Sequence, residues 1–507
     1  MPRGAQFKRT LIFRALIFVH RWMGVFFCLL FLSWFASGMV MMYWQYPQVS
    51  PADRLRRAPA LDASQIHLSP AEAYSRLQLD SPPAAAQLVT YDGRPAYRFR
   101  FGIDDAAIVY ADDGKTQNEF PPDLTLRMAS AWTNQPPGAA KEEDNNEADQ
   151  WTVSEEFAEL RPLRKYSWPD GQQVYVSTVS GEVVQYTTRG SRLAAYFGAI
   201  PHWLYFTPLR KRGQQWSRVV IWASGLGTVA AILGITIGLW IYSPSKSYRN
   251  AGAPASFPYR GNKRWHAILG LLFGLFACTW AFSGMLSMDP FPKLQEGESE
   301  ELGARLASTL RETPPLEVFA AKPPQAVVAE AQADFGSGVK ELELTSCAGE
   351  PAYLAVLRTN ETRVIPLLGR PANEFEHERI IDALDRAARP FAFTEVRRVT
   401  QYESYYLDRN DELPLPAIFV QLNDPARSMY YIDPKTARIV QSYNSNSRWN
   451  RWFYHGLHSL NLPWLYKHRP AWDVVVVLLL IGGASLSVTA LLLAWNVLWR
   501  KLAPWSG

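Results

Sequence analysis

The chain has 507 residues, of which 48% are hydrophobic, 13% aromatic and 20% charged, and a formal net charge of +5. Three cysteines are too few for a disulfide framework. The small positive balance comes with no basic–aromatic pattern, which excludes nucleic acid as a partner.

The first element in chain order is an apolar span, Leu16–Trp44, long enough to cross a ~30 Å hydrocarbon core. It is too long for the apolar stretch of a signal peptide and no small-residue cleavage site follows, so an uncleaved membrane helix is expected. The next region is large and polar. Ser69-Pro70-Ala71-Glu72 reads as a capped helix start. Gln87–Thr90 and Ala96–Phe101 flank the hairpin signal Asp92-Gly93. Ala107–Tyr110 and Val174–Ser177 are further strand candidates, and the acidic run Glu142, Glu143, Asp144, Glu147, Asp149 reads as a solvated loop.

Two more spans follow, Val219–Tyr242 and Ile268–Met288, joined by a short connection. A second polar region predicts a helix near Ala326–Ala333, strands near Lys340–Leu344 and Ala352–Leu357, and a helix near Glu378–Ala388. Strands near Ala417–Leu422 and Met429–Ile432 come next, with Asp433-Pro434 as turn, and then a fourth span, Val474–Leu498. The expected boundaries are a flank and first span at 1–44, an outer region at 45–216, a span at 217–243, a connection at 244–263, a span at 264–288, an outer region at 289–471, a span at 472–498 and a tail at 499–507. Cys28 and Cys278 fall in spans and Cys347 in the second outer region, each expected to be a small buried apolar residue.

Lys and Arg set the orientation. The N-terminal flank carries Arg3, Lys8, Arg9, Arg14 and Arg21; the short connection carries Lys246, Arg249, Arg260, Lys263 and Arg264 with no acidic residue; the tail carries Arg500 and Lys501. These three segments are expected in the cytoplasm and the two large regions outside it.

The chain also repeats itself. His20, Gly24, Phe27, Trp34, Ser37, Gly38 and Met39 recur in type as His266, Gly270, Phe273, Trp280, Ser283, Gly284 and Met285. At an offset of 256, Gly93, Tyr97, Tyr175, Arg192, His202, Lys211 and Trp216 recur as Gly349, Tyr353, Tyr431, Arg448, His458, Lys467 and Trp472. Each half starts and ends on the same side, so the halves are parallel repeats.

A helix followed by an antiparallel hairpin, with an Asp-x-x-Gly-like turn after an aromatic strand, resembles the PepSY module. Four spans flanking two such regions resemble the PepSY-associated transmembrane family, which includes bacterial inner-membrane ferric-siderophore reductases. The resemblance covers nearly the whole chain and is carried by His20-Arg21-Trp22-Met23-Gly24, by Trp265-His266 with Gly270, and by His455-Gly456-Leu457-His458. Gly181 fits the module turn; Ala437 stands at the equivalent position and predicts a distorted second turn. The fold implied is a membrane protein, a four-helix transmembrane bundle from an internal duplication with two α+β PepSY-like periplasmic domains, in the bacterial inner membrane.

Topology sorts the eight histidines. His20 and His266 lie at the cytoplasmic ends of their spans; His202, His455 and His458 lie at the outer edge; His67, His377 and His468 belong to loops. Haem iron accepts two axial imidazoles in an apolar slot. His20 with His266, and His202 with His458, would ligate one haem b each, and the glycines beside them would let a flat macrocycle approach. His455 either replaces His458 or binds substrate. Arg192, Arg448, Lys211 and Lys467 beside the outer pair, and Arg21 and Arg264 beside the inner pair, would neutralise propionates. A histidine or arginine at a membrane edge serves equally well as an anchor, and small residues in spans equally well as packing.

A zinc site of His202, His455 and His458 leaves the inner pair unexplained, and no nucleotide motif is visible. The expected function is therefore electron transfer across the membrane, and the family resemblance implies a ferric siderophore as the acceptor, releasing Fe(II). The donor would be a quinol, a reduced flavin or a partner reductase, and the surroundings membrane lipid. Trp203, Tyr205, Trp452, Tyr454, Trp464 and Tyr466 are candidates for an outer docking surface. A non-enzymatic module that binds a periplasmic peptide or protein for signalling or scaffolding is the alternative, and a permease ranks last because the spans lack acidic relays.

Overall fold

The computed structural model describes residues 3–102, 106–290, 296–336, 338–409 and 412–502. The end of the expected tail, 503–507, lies outside them. The chain divides into two compact units: Met1–Tyr46, Gly190–Pro292 and Trp449–Gly507 form one, and Pro47–Arg189 with Lys293–Arg448 the other.

The first unit is built on four long helices, Arg3–Met41, Gly213–Ile241, Gly261–Leu286 and Ala471–Leu502. Each contains a stretch long and apolar enough to cross a membrane. Helices suit that setting because every backbone polar group is satisfied within the segment. The second and third begin earlier than their apolar runs, since polar residues such as Gln214 and Lys263 continue the helix. The first helix packs on the second and the fourth, and so does the third. The first and third therefore stand at opposite corners of a four-helix ring.

The expected outer regions end early. Residues 190–212 and 449–470 fold with the helices and carry Ala199–Trp203, Thr207–Arg210, a π-helical turn at Arg451–Gly456, and Pro463–Tyr466. The short connection holds a small hairpin, Tyr248–Asn250 with Ala253–Ala255. Cys28 is buried, whereas Cys278 is only partly so.

The second unit joins both polar regions in one seven-stranded antiparallel sheet. Its order is Glu361–Pro366, Glu350–Arg358, Glu341–Cys347, Ala85–Tyr91, Arg94–Arg100, Ala106–Tyr110, Thr116–Gln117. Each region supplies its own α+β set, as expected, but the two sets share this sheet rather than forming separate bodies. At the seam Ala86 pairs with Leu344, Gln87 with Glu343 and Leu88 with Leu342. Glu343 stands 256 residues after Gln87, so each seam strand pairs with its own repeat equivalent, as across a two-fold axis. Tyr97 and Tyr353, equivalent residues on the flanking strands, are fully buried and donate their hydroxyls to Leu68 O and Lys322 O, both at 2.7 Å. That satisfies the polar end of each large apolar ring.

Each region also supplies a four-stranded sheet with a helix on one face. Lys141–Asn145, Leu163–Ser167, Gln173–Ser177 and Val183–Thr187 pack on Pro122–Thr133. Phe393–Val399, Ala417–Leu422, Met429–Asp433 and Arg438–Tyr443 share a core with His377–Ala388. The acidic run expected as a loop departs from that reading. Its first half is an edge strand, held by Arg164 on Glu142 at 2.8 Å and Lys165 on Glu143 at 3.3 Å. Asp149 accepts the Tyr175 hydroxyl at 2.6 Å and caps the amides of Trp151 and Thr152. Cross-strand partners that charge count alone does not reveal decide this outcome.

The second module turn is not distorted. Ala437 adopts φ 52 where Gly181 has φ 65, and both turns follow a register shift at the same place, Tyr175/Val176 and Tyr431/Ile432. The alanine keeps the left-handed conformation at a strain of order 1 kcal/mol. Gly181 has no such freedom, because a Cβ there would lie 2.3 Å from Phe120 and from the Tyr91 hydroxyl. Gly181→Ala is expected to cost about 3 kcal/mol and to lower the unfolding temperature, followed by circular dichroism, whereas Ala437→Gly should change stability by less than about 1 kcal/mol.

Candidate functional site

Two pairs of imidazoles meet inside the helical unit. His20 comes from the first helix and His266 from the third, and their ring centroids are 6.3 Å apart with planes at 39°. His202, from Ala199–Trp203, and His458, just after the π-helical turn, have centroids 5.9 Å apart with planes at 71°. Along the first helix His20 and Ser37 are 17 residues apart, as are His266 and Ser283 along the third. Those serines touch His202 and His458, so the pairs are separated by about 25 Å of helix at ~1.5 Å per residue. One pair lies at the end of the bundle bearing the short connection, the other at the end from which the large regions leave.

The hydrogen bonds fix how each ring is protonated. His20 Nδ1 is 3.0 Å from Ala230 O, and a carbonyl only accepts, so Nδ1 carries the proton. Thr489 donates its hydroxyl proton to Leu486 O at 2.7 Å, which leaves its oxygen to accept from His266 Nδ1 at 3.0 Å. Ser37 donates to Ser33 O at 2.6 Å and accepts from His202 Nδ1 at 3.1 Å, a proton that Trp34 O shares at 3.2 Å. Ser283 donates to Trp280 O at 3.1 Å and accepts from His458 Nδ1 at 2.9 Å. All four Nδ1 atoms are thus occupied. No described residue hydrogen-bonds to any of the four Nε2 atoms, which hold the lone pairs.

This is the arrangement that metal-bound histidines take, with one ring nitrogen anchored and the other presented. Two imidazoles sharing one metal through Nε2, at ~2 Å each, bring their ring centroids to ~6 Å. The observed 6.3 and 5.9 Å match that span. Burial pushes His202 down to about 4, and burial together with His202 pushes His458 down to about 3. Both are neutral at neutral pH, as ligation requires. Among the described residues no three His, Cys, Asp or Glu side chains converge, so the three-histidine zinc arrangement is not formed.

The surroundings suit a flat macrocycle. A Cβ on Gly24 would meet nothing within 4 Å and one on Gly270 only Leu486, at 3.9 Å, so open space adjoins each inner histidine one turn along its helix. Gly234 has the opposite role: a Cβ there would lie 2.7 Å from His20 Cε1, so its absence seats that ring. Between the pairs the bundle is aromatic. Phe31 contacts Trp34 and Phe35, and Phe35 contacts Trp280, with centroids 5.8, 6.1 and 5.9 Å apart.

The remaining candidates scatter. The four imidazoles' hydrogen bonds and ring contacts go to Ala230, Thr489, Ser37, Trp34, Ser283, Tyr454 and one another; none involves Arg192, Arg448, Lys211 or Lys467. Arg448 points to Met429 Sδ and Ser445 Oγ, in the other unit, while Lys211 and Lys467 are exposed at the ends of short helices. Arg21 and Arg264 are exposed. His455 is exposed too, its ring tilted against Tyr454 with centroids 4.7 Å apart; the ring paired with His202 is that of His458. His67 bonds to two backbone carbonyls, and His377 faces Glu374. Sequence reasoning missed Thr489, Ala230 and Gly234. Ser37 and Ser283 did stand in the repeat, but they read there as packing residues.

A four-helix membrane unit with two cross-bundle imidazole pairs, joined to a β-rich extramembrane unit, is the class of protein these features define. The chain belongs to the family described as the PepSY-associated TM region, which it matches over residues 17–496. No curated protein matches it.

Gly234→Val has no room beside His20. It is expected to displace the His20 ring and to lower the unfolding temperature of the purified variant, followed by circular dichroism.

Proposed function

We propose that the chain holds two b-type haems, one between His20 and His266 and one between His202 and His458, and carries electrons across the bacterial inner membrane to a periplasmic acceptor. Bound haem iron supplies a one-electron carrier at each face of the membrane. The observation that carries the proposal is the pair of cross-bundle imidazole contacts, 6.3 and 5.9 Å between ring centroids, in which every Nδ1 is anchored and no described residue hydrogen-bonds to an Nε2.

The side chains have defined tasks in this reading. Ala230 O, Thr489, Ser37 and Ser283 hold the tautomers and ring orientations. The apolar helices exclude water, and Phe31, Phe35, Trp34 and Trp280 keep the intervening interior dense. No general base or nucleophile is needed. The acceptor is proposed to be a ferric siderophore, whose hard oxygen donors bind Fe(II) weakly and so release it on reduction. The donor is a quinol, a reduced flavin or a partner reductase. The termini and the short connection lie in the cytoplasm and the β-rich unit in the periplasm, with the lysines and arginines of the flank and connection supporting that orientation. Duplication of one helix–β–helix half accounts for the pseudo-symmetric pairing of ligands and for the seam at Gln87 and Glu343.

The test is a visible spectrum of detergent-purified protein, oxidised and dithionite-reduced, with haem supplied during expression. A b-type spectrum with about two haems per chain is expected. Absence of haem would rule out this function and leave a non-enzymatic membrane module. His20→Ala or His266→Ala should remove one haem, and His202→Ala or His458→Ala the other. His455→Ala should remove neither.

The anchors give a graded version of the same test. Ser283→Ala removes the acceptor of the His458 Nδ1 proton and is expected to weaken haem retention at that pair about tenfold. Haem transfer to an excess of apomyoglobin measures this, and an unchanged transfer rate would show the serine to be packing only.

A further inference from the structure

The two halves differ in one place beside the His202–His458 pair. In the first half Ala195, Gly198 and Ala199 precede His202 and are all buried. The residues 256 further on are Arg451, Tyr454 and His455. The backbone differs with them. The helix Arg189–Phe197 stops and the chain restarts at Ala199, whereas the second half makes the π-helical turn Arg451–Gly456. Such turns give up regular hydrogen bonding and recur at functional sites.

Arg451 is 4% exposed and locks this turn. Its Nη2 donates to Asn461 O and Oδ1 at 3.0 and 3.1 Å, and its guanidinium lies 4.8 Å from the Trp452 ring centre. A chain of rings then leads out: His458 to Tyr454 at 5.5 Å, and Tyr454 to the exposed His455 at 4.7 Å. Neither the Tyr454 hydroxyl nor a His455 ring nitrogen hydrogen-bonds to a described residue. In the first half, among the described residues, His202 makes no ring contact besides that with His458. Tyr46, Trp203, Tyr205 and Trp216 close on one another there, and the Trp216 N–H is spent on Trp203 O.

We infer that the oxygen-rich ferric chelate proposed above as the acceptor docks on Tyr454 and His455, on the second half only. This rests on the electron-transfer function proposed for the same site. Hydroxamate or catecholate oxygens accept hydrogen bonds, which the free Tyr454 hydroxyl and His455 N–H supply. The Arg451 charge, close enough to act on His455, favours such oxygens over a cationic ligand. One electron leaves the reduced protein and one Fe(III) becomes Fe(II); no bond forms between protein and chelate.

The test uses the haem-loaded full chain in detergent with two probes. The gallium(III) complex of a linear tris-hydroxamate, which is not reduced, reports binding by calorimetry. The iron(III) complex reports reoxidation of dithionite-reduced protein by stopped flow. His455→Ala and Tyr454→Leu are expected to weaken gallium-complex binding about five- to tenfold and to slow reoxidation in proportion at sub-saturating chelate. Haem content should stay at the wild-type level, and His455→Gln, which keeps a donor, should retain most of the binding. Wild-type gallium-complex affinity in both variants overturns the inference, and so does loss of haem in His455→Ala, which would make that residue a ligand. Wild-type protein without haem would instead defeat the electron-transfer function, since gallium-complex binding is read independently of it.

Discussion

An imidazole N–H buried among apolar helices must have an acceptor, and that requirement organises the membrane unit. An unmet donor in such a place costs several kcal/mol. Helix backbones offer few free carbonyls, so the donors turn to hydroxyls and to locally available oxygens. Ser37, Ser283 and Thr489 each spend their own proton on a carbonyl three or four residues back and are left as acceptors. Once Nδ1 is tied down, the proton is fixed there and Nε2 is left with its lone pair. The helix ring with the first and third at opposite corners, the open space at Gly24 and Gly270, and the room made by Gly234 all serve that geometry.

The extramembrane unit follows a different constraint, the antiparallel pairing of two equivalent strands. Because Gln87 faces Glu343, the seam has the form of a dimer interface within one chain. Glu343 is 9% exposed, and its carboxylate is met by Arg311 and by Arg438 at 2.9 Å, which compensates its burial. Symmetry is then relaxed where packing allows. The turn at Ala437 keeps the backbone of the Gly181 turn despite its side chain, and the π-helical turn before His458 has no counterpart before His202. Departures of this kind let one half of a repeat acquire a contact that the other lacks.

Much of this was legible in the sequence for reasons that can be named. The spans stood out because a bilayer demands long apolar runs. Asp92-Gly93 stood out because both residues take positive φ, 47 and 79, which few residue pairs do without strain. Ser69 and Glu72 stood out because a capping box satisfies two helix-start amides reciprocally. The acidic strand Lys141–Asn145 was hidden because its strand character depends on Arg164 and Lys165 across the sheet. The basic residues expected at propionates were chosen from repetition, which marks equivalence between halves and not proximity to a site. Arg448, held at Met429 and Ser445, shows the difference.

The sequence by itself determined the four spans, the family and the residue types that recur at fixed offsets, because these depend on composition and on order along the chain. Only the tertiary structure decided that His458, rather than His455, faces His202 and that the two polar regions share one sheet. It also decided that Thr489 and Ala230 hold the inner rings. The physical reason is the same in each case. Residues far apart in sequence meet according to helix phase, crossing and strand register, which no local pattern records.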